Sequence, residues 1–161
     1  MASTTFSGPV TSTAGFISGS DALVSATDAS LAVTSAAHSG RTVLLDRAAG
    51  QAVTLPAATG SGNSYKFFVL TTITSNTTTI KVVDATDVMA GVAIVANDSD
   101  ATASIFETAS TSDTITFDGS TTGGILGATV ELQDVATNLW SVRVVGAATG
   151  TEATPFSATV S

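Results

Sequence analysis

The sequence contains no cysteine and few charged or aromatic residues. Without cysteine the chain has no disulfide bond, no thiol nucleophile and no cysteine ligand for a metal. Charged residues make up 11% of the chain, less than half of the usual share of about 25%. With 1 Trp, 1 Tyr and 1 His, the chain also has little from which to build an aromatic sugar-binding platform or a histidine-centred active site.

The scarce charges are mostly negative, which limits the classes of partner. Acidic residues number 13 against 5 basic ones, and the net charge is −8. The basic residues are scattered along the sequence: Arg41, Arg47, Lys66, Lys81 and Arg143. Nucleic-acid binding requires clustered Lys and Arg, so we expect no nucleic-acid partner. No apolar run approaches the roughly 20 residues of a membrane-spanning helix, so we expect no membrane partner either.

Small residues dominate instead, and 43% of the chain is hydrophobic. A chain of 161 residues is long enough for one domain with a real core. With so few charges, however, it has few means of keeping a broad surface solvated. We therefore expect much of its surface to be covered by copies of itself or by a larger assembly.

Short β-branched and apolar runs, separated by Gly, Asn and Ser turns, predict an all-β fold. Their even spacing is typical of a sandwich or barrel of short antiparallel strands. The predicted strands are 43–46, 51–55, 65–72, 78–84, 103–107, 114–118, 129–133 and 139–145. Between them, 87–95 is interpreted as a further strand interrupted at Gly91, with a short helix as the alternative.

A shift of 62 positions lays 43–83 on 105–145 without a gap. Seven residues of the first segment are identical in the second: Thr54, Thr59, Gly62, Leu70, Asn76, Val82 and Val83. Because the strands and turns also keep their order, the match predicts two pseudo-repeated β units. The predicted organisation is therefore an N-terminal arm (1–40), a β body (41–145) and a C-terminal arm (146–161).

The two predicted arms are rich in Ser, Thr, Ala and Gly and carry isolated large apolar residues. One interpretation is a flexible tail at each end. The other is an extended, ordered arm that anchors on a neighbouring subunit, and the spacing of the apolar residues favours it. The predicted anchors are Phe6, Val10, Phe16 and Phe156. A first short strand within 30–37 leads into the body.

The sequence offers little evidence for chemistry. His38, the one histidine, is predicted to lie in a solvent-facing loop, and no G-x-S-x-G elbow supplies a nucleophile. The oxygen-rich run 97–100 has the ligand types of a calcium site. Its spacing fails the EF-hand pattern, so we interpret it as a solvated turn, with calcium binding left open.

Five carboxylates could supply the acid and base of a glycosidase: Asp46, Glu107, Asp113, Glu131 and Asp134. The simpler interpretation places them at strand ends and on solvent faces, where they discourage aggregation between sheet edges. Tyr65 and Trp140 are predicted to take core or interface positions. We therefore predict no enzymatic activity and no cofactor.

Several segments together resemble the capsid decoration (cement) proteins of tailed bacteriophages. The resemblance spans most of the chain and is carried by 42–46, 53–62, 65–67, 113–117, 130–132 and 140–142, with 6–10 and 153–157 at the two ends. Its motifs, such as Leu55-Pro56, are structural rather than catalytic. Modules of phage head or tail fibres are the nearest alternative.

The resemblance implies an all-β body, a homotrimer, that sits on the major capsid protein. It also implies a location on the outer capsid surface of the virion, where the protein reinforces the shell against the pressure of the packaged DNA. Under the alternative, a fibre module would bind a host receptor or glycan through loops such as Ala57–Ser64 and Gly119–Gly127.

Overall fold

Two β-sheets packed on one another form the part of the chain that the computed structural model describes, residues 23–160. One sheet has seven strands in the order β1-β3-β5-β10-β11-β7-β8, and the other has five in the order β12-β9-β6-β4-β2. The prediction of an all-β sandwich is confirmed.

Strands account for nearly all of the regular structure within residues 23–160, with one short helix. The strands are β1 (Leu23–Ala26), β2 (Ser30–Ala32), β3 (Thr42–Leu45), β4 (Ala52–Thr54), β5 (Ser64–Val69), β6 (Thr78–Lys81), β7 (Val88–Ala96), β8 (Ala103–Glu107), β9 (Thr114–Phe117), β10 (Thr129–Ala136), β11 (Leu139–Ala147) and β12 (Phe156–Ser157). The helix α1 spans Ser35–His38.

The first six strands form three coils of a parallel β-helix. Each coil contributes one strand to each sheet: β1 and β2, then β3 and β4, then β5 and β6. β1, β3 and β5 pair in parallel in the seven-stranded sheet, and β2, β4 and β6 do so in the five-stranded sheet. The structural repeat of this region is therefore a single coil.

Each coil contains more residues than the one before it. A comparison of the sequence with itself at one fixed shift therefore does not detect the repeat. Leu23 pairs with Thr42, 19 positions later, and Thr42 pairs with Lys66, 24 positions later. In the five-stranded sheet Ser30 pairs with Ala52, 22 positions later, and the next spacing, from Ala52 to Thr79, is 27. A scan at one offset cannot align units whose period changes at every turn.

The remaining strands extend both sheets with a different topology. β10 pairs antiparallel with β5 and forms a hairpin with β11. β7 lies beside β11 in parallel, and β8 lies antiparallel to β7 at the sheet edge. In the other sheet β9 lies antiparallel between β6 and β12. Both sheets are thus mixed, whereas the sequence pattern predicted antiparallel strands, because side-chain alternation is the same in both kinds of pairing.

The core consists of side-chain rows that cross each sheet at one level. The row of the seven-stranded sheet contains one residue from every strand: Val24, Val43, Phe67, Val130, Val144, Ala93 and Phe106. The row of the five-stranded sheet contains Leu31, Val53, Ile80, Ile115 and Phe156. Full burial of one such side chain stabilises the fold by about 1.5–3 kcal/mol, so these rows hold the two sheets together.

The segments 43–83 and 105–145 share strand order but not strand pairing. In the first segment β3 pairs with β5, and β4 pairs with β6, all in parallel. In the second, β10 and β11 form an antiparallel hairpin, while β8 and β9 lie in different sheets and pair with neither of them. The two segments are therefore not two copies of one folded unit, and the prediction of repeated units is corrected.

The described part of the predicted N-terminal arm belongs to the body. Residues 23–40 contain β1 and β2, the second of which corresponds to the short strand predicted within 30–37. Val33 is 4% exposed and belongs to the core. At the other end, β11 continues to Ala147, and β12 pairs with β9. The sequence predicts arms at these residues because their Ser, Thr and Ala content conceals short strands.

The connecting segment 87–95 is a single strand, β7, and not a helix. Gly91 does not interrupt it. A Cβ atom at Gly91 would overlap the carbonyl oxygen of Val142 on β11, its partner in the register. The glycine thus permits a close approach between two parallel strands.

Candidate functional site

The outer face of the seven-stranded sheet carries charged and apolar side chains in neighbouring rows. Alternate residues of each strand point outward, and strand register aligns them across the sheet. One outward row, called here the charged row, contains Thr42, Lys66, Glu131 and Arg143, with Leu23 at one end and Val92 and Glu107 at the other. Two positions further along β5 runs the apolar row, which contains Leu44, Phe68, Thr129, Val145, Ile94 and Ile105.

A groove of about 520 Å³ lies along the charged row. It is lined by Gly40, Arg41, Thr42, Ser64, Tyr65, Lys66, Glu131, Leu132, Gln133, Ser141 and Arg143. Its volume falls within the range of about 300–1,000 Å³ typical of small-molecule sites. Three of the 5 basic residues of the chain, Arg41, Lys66 and Arg143, thus meet at one place.

The charges of the groove are only partly compensated. Lys66 Nζ lies 3.3 Å from Glu131 Oε1, with both side chains about half exposed. This is the one ion pair formed among residues 23–160. Within that same range the guanidinium groups of Arg41 and Arg143 have no carboxylate within 4.0 Å. Two fork-shaped donors are therefore available to an anion.

The apolar row crosses the sheet near the end of β5, two residues beyond the charged row. Ile105 is 67% exposed and Val145 is 38% exposed, although both are large and hydrophobic. Leu70, directly after β5, is 40% exposed. It lies four positions beyond Lys66, or about 13 Å along an extended strand. The other members of the apolar row are half-buried. Partly exposed apolar side chains grouped on one face are typical of protein–protein contact.

Asp134 holds the loop Ala57–Ser64 in place, although it lies more than 70 residues away in the sequence. Its carboxylate accepts hydrogen bonds from the backbone N–H groups of Thr59, Gly60 and Ser61 at 2.6–3.1 Å, and from the hydroxyl groups of Thr59 and Ser61. The side chain is 2% exposed. Burial alone would raise the pKa of Asp134, but these hydrogen bonds lower it well below its ordinary value.

Asp118 fixes the loop Gly119–Gly127 by local bonds. It accepts from the backbone N–H groups of Ser120 at 2.8 Å and Thr122 at 3.0 Å, and from the hydroxyl of Thr121 at 2.8 Å. Burial alone would raise the pKa of Asp118, but the bonds lower it to about 2. Both loops named in the fibre-module alternative are thus fixed in place by a carboxylate.

Tyr65 and Trp140 occupy the core, as predicted. Their rings lie 5.7 Å apart with an interplanar angle of 58°, and both are almost fully buried. Burial, together with the negative charge of Asp134, raises the pKa of the Tyr65 hydroxyl. These two rings support the sheet beneath the groove and present no flat face to a sugar.

The predicted anchors do not come together in the described structure. Phe6, Val10 and Phe16 lie outside the described residues. Phe156 lies in β12, is 7% exposed and packs into the core of its own chain. It is therefore not a surface anchor, because β9 recruits the C-terminal segment as an edge strand.

Two of the five candidate carboxylates are buried rather than solvent-facing. Asp134 is one, and Asp113, 5% exposed, is the other. Asp113 accepts hydrogen bonds from the backbone N–H groups of Thr159 and Val160 and so ties down the C-terminal segment. Asp46 accepts a bond from the hydroxyl of Thr71, whereas Glu107 and Glu131 are exposed, as expected.

His38 is buried, contrary to the prediction of a solvent-facing loop. It ends α1 with 6% exposure. Its Nδ1 lies 3.0 Å from the backbone nitrogen of Thr34 and 3.1 Å from the carbonyl oxygen of that residue. The imidazole thus packs back on the start of its own short helix.

The run 97–100 forms the turn between β7 and β8. Asp100 accepts from the backbone N–H and hydroxyl of Thr102, while Asp98 accepts from the N–H of Gly150 at 3.2 Å. Within residues 23–160, no group of three or more His, Asp or Glu side chains is arranged to hold a metal ion.

Sequence reasoning missed the groove and the loop-binding role of Asp134. The basic residues of the groove are far apart in sequence and meet only because β3, β5, β10 and β11 are adjacent. The one available signal was the alternation of Glu131 and Arg143 with apolar neighbours, which shows that they face outward but not what they face.

Within the described range, no helix is long and apolar enough to cross a membrane. Comparisons of the chain with protein-family models, curated proteins and solved structures found no match.

Proposed function

We propose that this protein is a non-enzymatic virion structural protein that binds the outer surface of a tailed-bacteriophage capsid and stabilises the shell. Its partner would be the major capsid protein, and it would act as a homotrimer. The proposal rests on the resemblance of the sequence and on one structural observation, the exposed apolar side chains Ile105, Val145 and Leu70 of the seven-stranded sheet.

The composition agrees with this proposal. A chain with 11% charged residues gains from having part of its surface covered permanently. Exposed apolar side chains at Ile105, Val145 and Leu70 provide a contact that releases water on docking. The net charge of −8 suits a position outside the shell, away from the packaged DNA.

Stabilisation would follow from selective binding to the assembled shell. A protein that binds the assembled lattice, but not its separated subunits, shifts the equilibrium toward the lattice. The effect grows with the number of occupied sites and requires no chemical step. In this mechanism residues 1–22, with Phe6, Val10 and Phe16, add contact area beyond the body.

Sedimentation with particles of the encoding phage that lack this protein tests the proposal. We expect Ile105→Asp to weaken binding about 30-fold, because burial of one large aliphatic side chain contributes about 2 kcal/mol. Val83→Asp is the matched control, since Val83 is 48% exposed but follows β6 outside the seven-stranded sheet. Equal binding by both variants and the unaltered protein would contradict the proposal.

A second candidate function is that of a head or tail fibre module that binds a host receptor or glycan. The groove along the charged row favours it. Deletion of residues 1–20 should abolish capsid association under the first proposal and leave it unchanged under the second. Electron cryo-microscopy of the particle separates them directly, since a decoration protein covers the capsid lattice and a fibre module occurs in a few copies at a tail or vertex.

A further inference from the structure

We infer that the groove between Arg41, Lys66, Glu131 and Arg143 is a binding site for a sugar acid, a small polyhydroxylated molecule that carries a carboxylate. This binding function is separate from shell stabilisation and does not depend on it. The groove lies at the start of β5, whereas Ile105 and Val145 lie level with Phe68 near the end of that strand, and Leu70 follows it.

The charge pattern selects an anion. The chain carries a net charge of −8, yet 3 of its 5 basic residues line this groove. Glu131 pairs with Lys66, and within residues 23–160 no carboxylate pairs with Arg41 or Arg143. Two guanidinium groups that have no carboxylate partner among residues 23–160 are suited to a carboxylate ligand, which each can bind through two parallel hydrogen bonds.

The uncharged residues that line the groove favour a ligand that carries hydroxyl groups. Thr42, Ser64, Gln133 and Ser141 provide uncharged donors and acceptors suited to hydroxyl groups. The apolar members, Tyr65 and Leu132, are each 2% exposed and lie beneath the sheet surface. The apolar part of the accessible lining therefore comes mainly from the carbon atoms of the polar and charged residues, which suit the C–H faces of a sugar ring.

The size and charge of the groove favour a sugar acid over a bare ion or a polyanion. A groove of about 520 Å³ is much larger than a bare ion requires, since one water occupies about 30 Å³ in the liquid. Glu131, in the middle of the charged row, repels a dense polyanion such as a polyphosphate or nucleic acid. A sugar acid with a single carboxylate can place that group on an arginine, away from Glu131, and its hydroxyl groups on Ser64, Gln133 and Ser141.

Titration of the ¹⁵N-labelled full chain with sodium D-glucuronate, followed by NMR, tests the inference. We expect saturable shifts of the Ser64 and Ser141 amide signals. The expected Kd is about 1 mM, from the typical efficiency of a ligand with about 13 non-hydrogen atoms. D-glucose and sodium acetate, which lack the carboxylate and the hydroxylated ring respectively, should each bind at least about tenfold more weakly.

Three variants distinguish binding in the groove from general charge effects. Arg143→Gln should weaken glucuronate binding about tenfold. Lys81→Gln changes the net charge equally but lies in the five-stranded sheet, and should leave it unchanged. Glu131→Gln removes the competing carboxylate while preserving shape, and should tighten binding severalfold. A merely structural role of Glu131 would not produce a gain.

The outcomes are decisive in either direction. Absence of saturation at about fifty times the expected Kd, or equal weakening by Arg143→Gln and Lys81→Gln, would overturn the inference. Equal affinity for acetate and glucuronate would reduce the groove to a simple anion site and refute the sugar-acid assignment. Capsid binding measured on the same variants reports separately on the proposed function.

Discussion

Two loops at equivalent positions of similar segments are fixed by opposite strategies. Ala57–Ser64 and Gly119–Gly127 follow corresponding strands, and an aspartate binds each of them through backbone N–H groups. Asp118 is only 2 to 4 residues from the groups it binds, whereas Asp134 is 73 to 75 residues away. The bonds of Asp118 form within a local turn. Those of Asp134 form only when β10 has paired within the folded sheet.

The strands around these loops differ in the same way. In 43–83 the partners follow from coiling of one chain in parallel, while in 105–145 a hairpin is flanked by β7, which comes from the connecting segment. Similar local sequence therefore gives strands at corresponding positions, but these strands pair with different partners in the two segments. Substitutions in the long-range contacts should cost more than substitutions in the local ones.

Gly91→Ala should have the largest effect on stability, because it disrupts the pairing of β7 with β11. That pairing distinguishes the segment 105–145 from 43–83. The added methyl group would overlap the Val142 carbonyl, so the two strands must separate. We expect a loss of about 4 kcal/mol in the free energy of unfolding, measured with urea. Gly62→Ala, whose Cβ would meet no atom within 4 Å despite its φ of 76°, should cost about 1 kcal/mol. Equal costs would contradict the close-approach explanation.

Asp134→Ala should cost about 3 kcal/mol, since it removes a buried carboxylate that accepts from five donor groups of the loop. The variant should lose hydrogen-exchange protection throughout the loop Ala57–Ser64 and lower the stability of the whole domain. A local loss of protection with unchanged global stability would show that this loop is not part of the cooperative unit.

Both aspartates should make the protein acid-sensitive. The folded-state pKa of Asp134 is lowered, and that of Asp118 is lowered to about 2. Each therefore contributes stability that is present above the unfolded pKa of about 3.9 and is lost as the pH falls through the folded value. Urea unfolding between pH 5 and 2 should show this loss, and Asp134→Ala should show a shallower pH dependence than the unaltered protein.

Asp118→Ala should cost about 1.5 kcal/mol, less than Asp134→Ala, because Asp118 is only half-buried and accepts from three donor groups, whereas Asp134 is 2% exposed and accepts from five. We expect the loss of exchange protection to be confined to Gly119–Gly127. If Asp118→Ala proves as costly as Asp134→Ala, the contrast between local and long-range fixation of the loops is wrong.

Asp87→Asn should have the smallest effect, a slight gain. Burial raises the pKa of Asp87, and the charges of Asp84 and Asp134 raise it further against the opposing bond from the Ala58 N–H. A raised folded pKa means stability that is present below the unfolded value and lost as the pH rises through the folded one. The amide retains an acceptor for the Ala58 N–H (2.9 Å) without the charge, so the gain should appear at pH 7 and vanish near pH 3.

Much of the strand content could be predicted from local patterns. Runs such as 65–72 and 139–145 alternate or cluster apolar residues in a way that only strands satisfy, and the structure places β5 and β11 there. The errors arose where composition hid the pattern. Residues 23–40 and 153–157 look like linkers, yet short stretches of them complete sheet edges through backbone bonds that any sequence can make.

The sequence alone determined the all-β class, the turns and the local bonds of Asp118, because these depend on residues within a few positions of one another. Tertiary structure alone decided which strands are neighbours, that Asp134 binds the loop Ala57–Ser64, and that Arg41, Lys66 and Arg143 share a groove. The physical reason is that alternation places a side chain on a face, while its cross-strand neighbours depend on the packing of the whole core.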